Sequence, residues 1–209
     1  MSRDIEYYFS LHSPWTYLGH TLFREIAAKH GGHIVYRPVP LGSVFNETGG
    51  LPLPKRHPVR QRYRLVELQR WRARRGVKLI LQPQHFPYDP SLADRMVIAI
   101  QQGGGDPGAF MGEVMAALWA RDEDLSQADP IIALADAAGH DGKALREAAE
   151  SEDILDLYRG TISHAVAAGV FGAPSYVLDG EVFWGQDRLE LLDSALESGR
   201  PPYSPDGDA

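Results

Sequence analysis

The chain has 209 residues, 44% of them hydrophobic, and a formal net charge of −7, which suits one domain carrying an insertion better than two independent domains. The acidic balance argues against a general nucleic-acid binder, and the absence of any cysteine excludes disulfides, C-x-x-C redox chemistry and cysteine-bound metals. No basic leader and no run of about 18 apolar residues points to secretion or a membrane span, so the expected location is the cytoplasm.

Residues 5–11 alternate and lean aromatic at Tyr7, Tyr8 and Phe9, which predicts a buried strand. From Ser13 the period becomes that of a helix: Trp15, Leu18, Leu22 and Ile26 follow steps of three and four, and Gly31-Gly32 ends the run. His33 to Val39 reads as a second strand, and strand, helix and strand in succession make a right-handed unit with parallel strands. Residues 41–58, rich in Gly and Pro, are expected to form one long functional loop.

Helices are predicted over 59–75, 91–102, 107–120, 130–138, 142–150 and 152–168, with Asp106-Pro107, Asp129-Pro130 and Ser151 as start signals. Between Lys55 and Lys78 lie eight arginines, with Glu67 the only acid. That stretch is either a solvated face complemented by the acids from Asp122 to Asp156, or a positive wall that draws an anionic substrate. Two short strands then flank Asp179-Gly180, a dipeptide favoured in tight hairpins. A last helix spans 186–196 on Leu189, Leu192 and Leu196, and the tail after Gly199 is expected to fray. The order βαβ, helical block, ββα predicts an α/β, thioredoxin-like fold with an all-helical insertion. Residues 1–40 and 165–199 form the thioredoxin-like part, 41–164 the insertion and 200–209 a flexible tail.

Ser13-Pro14-Trp15-Thr16 stands at the strand-to-helix turn where a thioredoxin-type protein carries C-x-x-C. Ser13 is a plausible N-cap and Pro14 a first helical residue, an arrangement worth about 1 kcal/mol for the serine. A hydroxyl and free helix-terminal amides equally make an anion site, and a hydrogen bond from Ser13 to a bound thiolate lowers the thiol pKa. Serine without a base, and without a G-x-S-x-G elbow, is not read as a nucleophile. Pro174, after Ala173, marks a strand start or a special turn. Gly185-Gln186-Asp187-Arg188 opens the last helix; Asp187 there caps the helix or, with the terminal amides, binds the charged end of a ligand. The eight histidines show no metal-ligand spacing, so no metal is predicted.

Four segments, Phe9-x-x-x-Ser13-Pro14-Trp15-x-Tyr17-Leu18, Phe86-Pro87, Gly169-Val170-Phe171-Gly172-Ala173-Pro174 and Phe183-Trp184-Gly185-Gln186-Asp187-Arg188-Leu189, together resemble the 2-hydroxychromene-2-carboxylate isomerase family. That family belongs to the DsbA-like, kappa-class glutathione transferase branch of the thioredoxin superfamily, and the resemblance runs from about residue 4 to 198. It implies a homodimer that uses glutathione as a cofactor, without consuming it, to isomerise an aromatic carboxylate by reversible thiolate addition. Ser13 would hold the sulfur, Ala173, before a cis Pro174, the cysteinyl backbone, and Gln186 with Asp187 the γ-glutamyl end. Where the family shows an asparagine before a proline pair, then a lysine and a tyrosine, this chain has Gly50-Leu51-Pro52, then Arg60 and Tyr63. Tyr88 either lines the aromatic pocket or packs within its loop. The alternatives are a kappa-like glutathione transferase or peroxidase, and a non-catalytic protein that binds peptides at the Ala173-Pro174 edge.

Overall fold

A computed structural model describes residues 3–205. Four strands form one sheet in the order β2-β1-β3-β4. β1 (Asp4–Phe9) pairs in parallel with β2 (His33–Pro38), Tyr7 opposite Tyr36, and antiparallel with β3 (Ser175–Leu178), Tyr7 opposite Tyr176. β4 (Glu181–Trp184) returns along β3 through Asp179 and Gly180, with φ values of 50° and 87°, the positive pair that a two-residue hairpin of matching twist requires.

Helix α1 (Pro14–Lys29) lies on this sheet, and the ring of Phe23 sits 4.6 Å from Tyr7 and 4.5 Å from Tyr176, centroid to centroid. Between β2 and β3 come α2 (Leu41–Thr48), α3 (Pro58–Arg75), α4 (Ser91–Gln102), α5 (Gly108–Arg121), α6 (Ala128–Ala137), α7 (Gly142–Ala148) and α8 (Glu152–Ala167); α9 (Leu189–Ser198) closes the fold. The core is continuous from the sheet through α1 into α4 and α5, where Met96, Phe110, Leu118 and Trp119 are fully buried. His20 of α1 is part of it. Its Nε2 donates to the Gly108 carbonyl at 2.8 Å, and burial holds its pKa down to about 4, so the ring is neutral.

Four expectations change. Residues 41–58 are not one loop. Leu41, Val44 and Phe45 stand at helical spacing with Val44 fully buried, so α2 forms and ends at Gly49, whose φ is 80°; a 3-10 turn follows at Leu53–Lys55. Neither Asp106 nor Asp129 is the N-cap: α5 begins at Gly108 after Pro107, with Asp106 accepting from the Gly108 amide, and α6 begins at Ala128 and places Asp129 in the first turn, where an acid still favours the helix dipole. The last helix opens as a 3-10 turn, Gln186–Arg188, before α9. The tail is tied down at its start: Arg200 donates to both oxygens of Glu181, at 2.7 and 3.0 Å, and Glu181 also accepts from the Tyr203 amide. Residues 206–209 of that tail lie outside the described residues. Among the described residues no helix is long and apolar enough to cross a membrane.

Asp94 of α4 is buried in the helical block. Its Oδ2 accepts from Tyr158 at 3.0 Å, while Oδ1 meets no partner among the described residues. Desolvation pushes its carboxyl well above the usual range. The folded protein therefore holds a proton that the unfolded chain releases, so the contribution of this group to stability is present in acid and is lost as pH rises above the ordinary carboxylate value. Asp94→Asn is expected to flatten that decline. Thermal unfolding from pH about 4 to about 8 checks it; parallel wild-type and variant curves would refute the neutral carboxyl.

Candidate functional site

The register brings three motifs to one end of the sheet. Tyr8 pairs with Ser175 and Ser175 with Trp184. The turn after β1, the Ala173-Pro174 segment before β3 and Gly185-Gln186-Asp187 after β4 therefore sit side by side.

In the first turn the Ser13 amide donates to Ser10 O at 2.9 Å, Tyr17 N donates to Ser13 O at 3.1 Å, and Thr16 N donates to Ser13 Oγ at 3.4 Å. Ser13 is only 4% exposed and is the N-cap of α1, with Pro14 behind it contributing no N–H. These bonds use the hydroxyl oxygen as an acceptor. Its own proton and the Trp15 amide remain as donors, and the buried hydroxyls of Ser10 and Thr16 also meet no partner among the described residues, in a turn that already carries the positive end of a helix.

The Ala173-Pro174 bond is cis. Pro174 O accepts from Gly185 N at 2.8 Å, and Ser175 Oγ donates to Gly172 O at 2.8 Å. Ala173 itself precedes the first ladder pair. Beside it the half-exposed rings of Phe171 and Trp184 meet edge to face at 4.7 Å. A Cβ at Gly172 would lie 2.5 Å from the indole nitrogen of Trp184, so a larger residue there would push that half-exposed ring aside.

At the third motif Gln186 is 1% exposed and packs on Gly19 of α1. Arg75, from the end of α3, grips it twice: Nε donates to Gln186 Oε1 and Nη2 to Gln186 O, both at 2.8 Å. A guanidinium only donates, so the side-chain carbonyl is turned toward Arg75 and the NH2 is the group left for a ligand. Asp187 is partly exposed and pairs with neighbouring Arg188 at 2.7 Å. Gly185, with φ of 103°, stands where a Cβ would lie 2.4 Å from Asp187 Oδ1. Sequence reasoning missed Arg75; its partner is 111 positions away, and nothing local distinguishes it within an arginine-rich helix.

The remaining predicted residues are more dispersed. Gly50 is seated on the Phe45 ring, with a Cβ 2.2 Å from Cδ1, so an asparagine would displace that ring. Arg60 lies on the exposed side of α3, and Tyr63 is 57% exposed, its hydroxyl accepting from Arg70 at 3.5 Å. Tyr88 is buried with its hydroxyl unpartnered among the described residues, and burial pushes its pKa up. Nearby, Phe86, whose bond to Pro87 is also cis, is surrounded by Trp119 at 5.1 Å, Arg64 at 6.0 Å and His12 at 6.1 Å. His12 adjoins Ser13 in the chain and is held below its ordinary pKa by burial. Two surface grooves, beside Arg24 and Asp106 and between His20 and Gly112, lie elsewhere and contain none of the predicted residues.

A thioredoxin-type sheet end with serine at the turn, in a chain without cysteine, defines a thioredoxin-fold protein with no C-x-x-C pair. The model of the DsbA-like thioredoxin domain matches residues 4–197, and the chain belongs to that family. It is 30% identical to 2-hydroxychromene-2-carboxylate isomerase of Sphingobium xenophagum, over 94% of this chain and 99% of the relative. A solved 2-hydroxychromene-2-carboxylate isomerase superposes with a TM-score of 0.78 at 27% identity, over 93% of this chain and 95% of that one. Glutathione S-transferase kappa 1 of Rattus norvegicus is 25% identical over 91% of this chain and 89% of its own length.

Proposed function

We propose that the protein is a glutathione-dependent isomerase of 2-hydroxychromene-2-carboxylate or a related aromatic acid, working as a homodimer in the cytoplasm, with 41–164 as the insertion that covers the thioredoxin-like part. One observation carries the reading. In a chain without cysteine, a hydroxyl with an uncommitted proton at a helix N-terminus shares one sheet end with a backbone edge and with a Gln-Asp pair.

Those residues fit glutathione. The NH2 of Gln186 suits a carboxylate and Asp187 suits an ammonium, the two charges of a γ-glutamyl end, while the extended backbone at Ala173 suits a cysteinyl unit. Glutathione, if bound, would supply the thiolate needed for reversible addition to the conjugated acid. Ser13 donates its hydroxyl proton toward the sulfur position, and the Trp15 amide and the α1 dipole favour negative charge there. Arg75 keeps the Gln186 amide facing the ligand.

The test is isomer formation with total thiol followed in the same sample. Isomerisation at constant thiol supports the proposal. Thiol loss in step with turnover favours the transferase reading that the kappa relative brings, and no glutathione binding overturns both. Arg75→Met is expected to weaken glutathione binding about tenfold by calorimetry, given that hydrogen bonds to a charged group each contribute about 1.5–3 kcal/mol. Arg75→Lys, which keeps the charge and loses the two-point grip, should recover only part of it.

A further inference from the structure

Helix α3 ends with its arginines unequally satisfied. Its one acid, Glu67, is taken by Arg70. Arg64, one turn beyond Arg60, is partly buried, and among the described residues it has neither an acid nor a hydrogen-bond acceptor; its described neighbours are the Phe86 ring, 6.0 Å away, and the charge of Arg56. Arg56 spends its Nε on Leu51 O at 2.7 Å and is itself repelled by Arg60. Burial and the Arg56 charge together bring the Arg64 pKa down to about 10, so the guanidinium stays charged at neutral pH.

A partly desolvated cation without a counter-ion gains from any anion that settles beside it. The surroundings describe that anion. Phe86 presents an aromatic wall shared with Trp119 and His12, and Trp119 Nε1 and His12 Nδ1 are buried without hydrogen-bond partners among the described residues. His12 connects this wall directly to Ser13.

We propose that Arg64, with Arg56 and Arg60 leading to it from the surface, is the carboxylate anchor of the site, and that a flat aromatic acid binds with its ring against Phe86 and its carboxylate on Arg64. This deepens the isomerase reading and moves the substrate anchor from Arg60 and Tyr63 to a residue one turn further along α3. The planar fork of Arg64 suits a carboxylate bidentately, and the unpartnered Trp119 N–H offers a second donor to a ring substituent.

The test uses a hydroxynaphthoate as an unreactive probe, with the corresponding naphthol as its uncharged counterpart, titrated calorimetrically without glutathione. The expected result is at least about tenfold weaker acid binding in Arg64→Met, unchanged naphthol binding, and intermediate acid binding in Arg64→Lys. Thermal unfolding is a second readout: without ligand, Arg64→Met should melt no lower than wild type, because the charge it removes is unmatched. Equal acid binding by wild type and Arg64→Met overturns the assignment. So does a loss confined to glutathione when it is titrated separately into the same proteins, which would place a glutathione carboxylate on Arg64. If the acid binds as expected while glutathione does not bind at all, the anchor stands and the glutathione reading falls.

Discussion

Alanine at position 13 is expected to lower turnover of the proposed isomerase roughly 10- to 100-fold near neutral pH, the effect of losing a hydrogen bond to a charged group. The same loss displaces thiol ionisation upward by about one to two pH units, since each unit corresponds to about 1.36 kcal/mol. The sign is fixed by which form is stabilised. Ser13 donates to the anion, so its removal raises the pH at which the thiolate forms, and activity should recover in alkaline solution. Stability changes far less: the lost cap bond to Thr16 N costs about 1 kcal/mol, or roughly 2–4 °C in a chain of this size. The ultraviolet absorbance of the thiolate gives a direct measurement, because the protein has no cysteine and every thiol in the sample belongs to the ligand. An unchanged ionisation pH in Ser13→Ala would remove Ser13 from the chemistry and leave it as a helix cap.

The largest expected effect on stability is at Gly19, in the middle of α1. Exchanging glycine for a better helix former inside a helix usually gains up to about 1 kcal/mol. Here a Cβ would stand 2.6 Å from Gln186 Cβ and 3.0 Å from the Tyr176 hydroxyl, neither of which can swing aside, as both residues are buried. Overpacking of this kind costs about 1–3 kcal/mol, and Gly19→Val, with two further methyls, belongs at the upper end, near 3 kcal/mol or roughly 6–12 °C. Gly160 of α8 is the control: nothing lies within 4 Å of its added Cβ, so Gly160→Ala should stabilise slightly. Calorimetric melting of both variants decides the matter. A Gly19→Val protein that melts like wild type would mean that Gln186 is not seated on α1. Because the intruding group pushes on Gln186, glutathione binding should weaken even where the variant remains folded.

Much of the architecture was legible because its signals are local. Alternation in β1, the change of period at Ser13 and the Asp179-Gly180 turn each specify one element without reference to the rest, and the structure has all three. α2 was hidden because the glycines and prolines at its two ends outweighed a brief apolar spacing whose worth comes from burying Val44. Asp129-Pro130 gave a true start signal displaced by two residues, since proline and an acid are both accepted in a first helical turn. Within the site, the three backbone motifs could be placed together once the strand order was inferred. The arginines could not be ranked. Eight of them on one stretch look alike in sequence, and only tertiary packing makes Arg75 a grip on Gln186 and leaves Arg64 against Phe86 while Arg60 faces solvent.

The pair of hydrogen bonds from Arg75 to the turn at Gln186 also has a dynamic consequence. One guanidinium joins the last residue of a long helix to a segment 111 positions later, so neither partner can loosen without releasing the other. Fluctuations of α3 and of the segment before α9 should therefore rise and fall as a single cooperative unit: in deuterium exchange the two would gain protection together when a ligand settles, and Arg75→Met would let each breathe at its own rate.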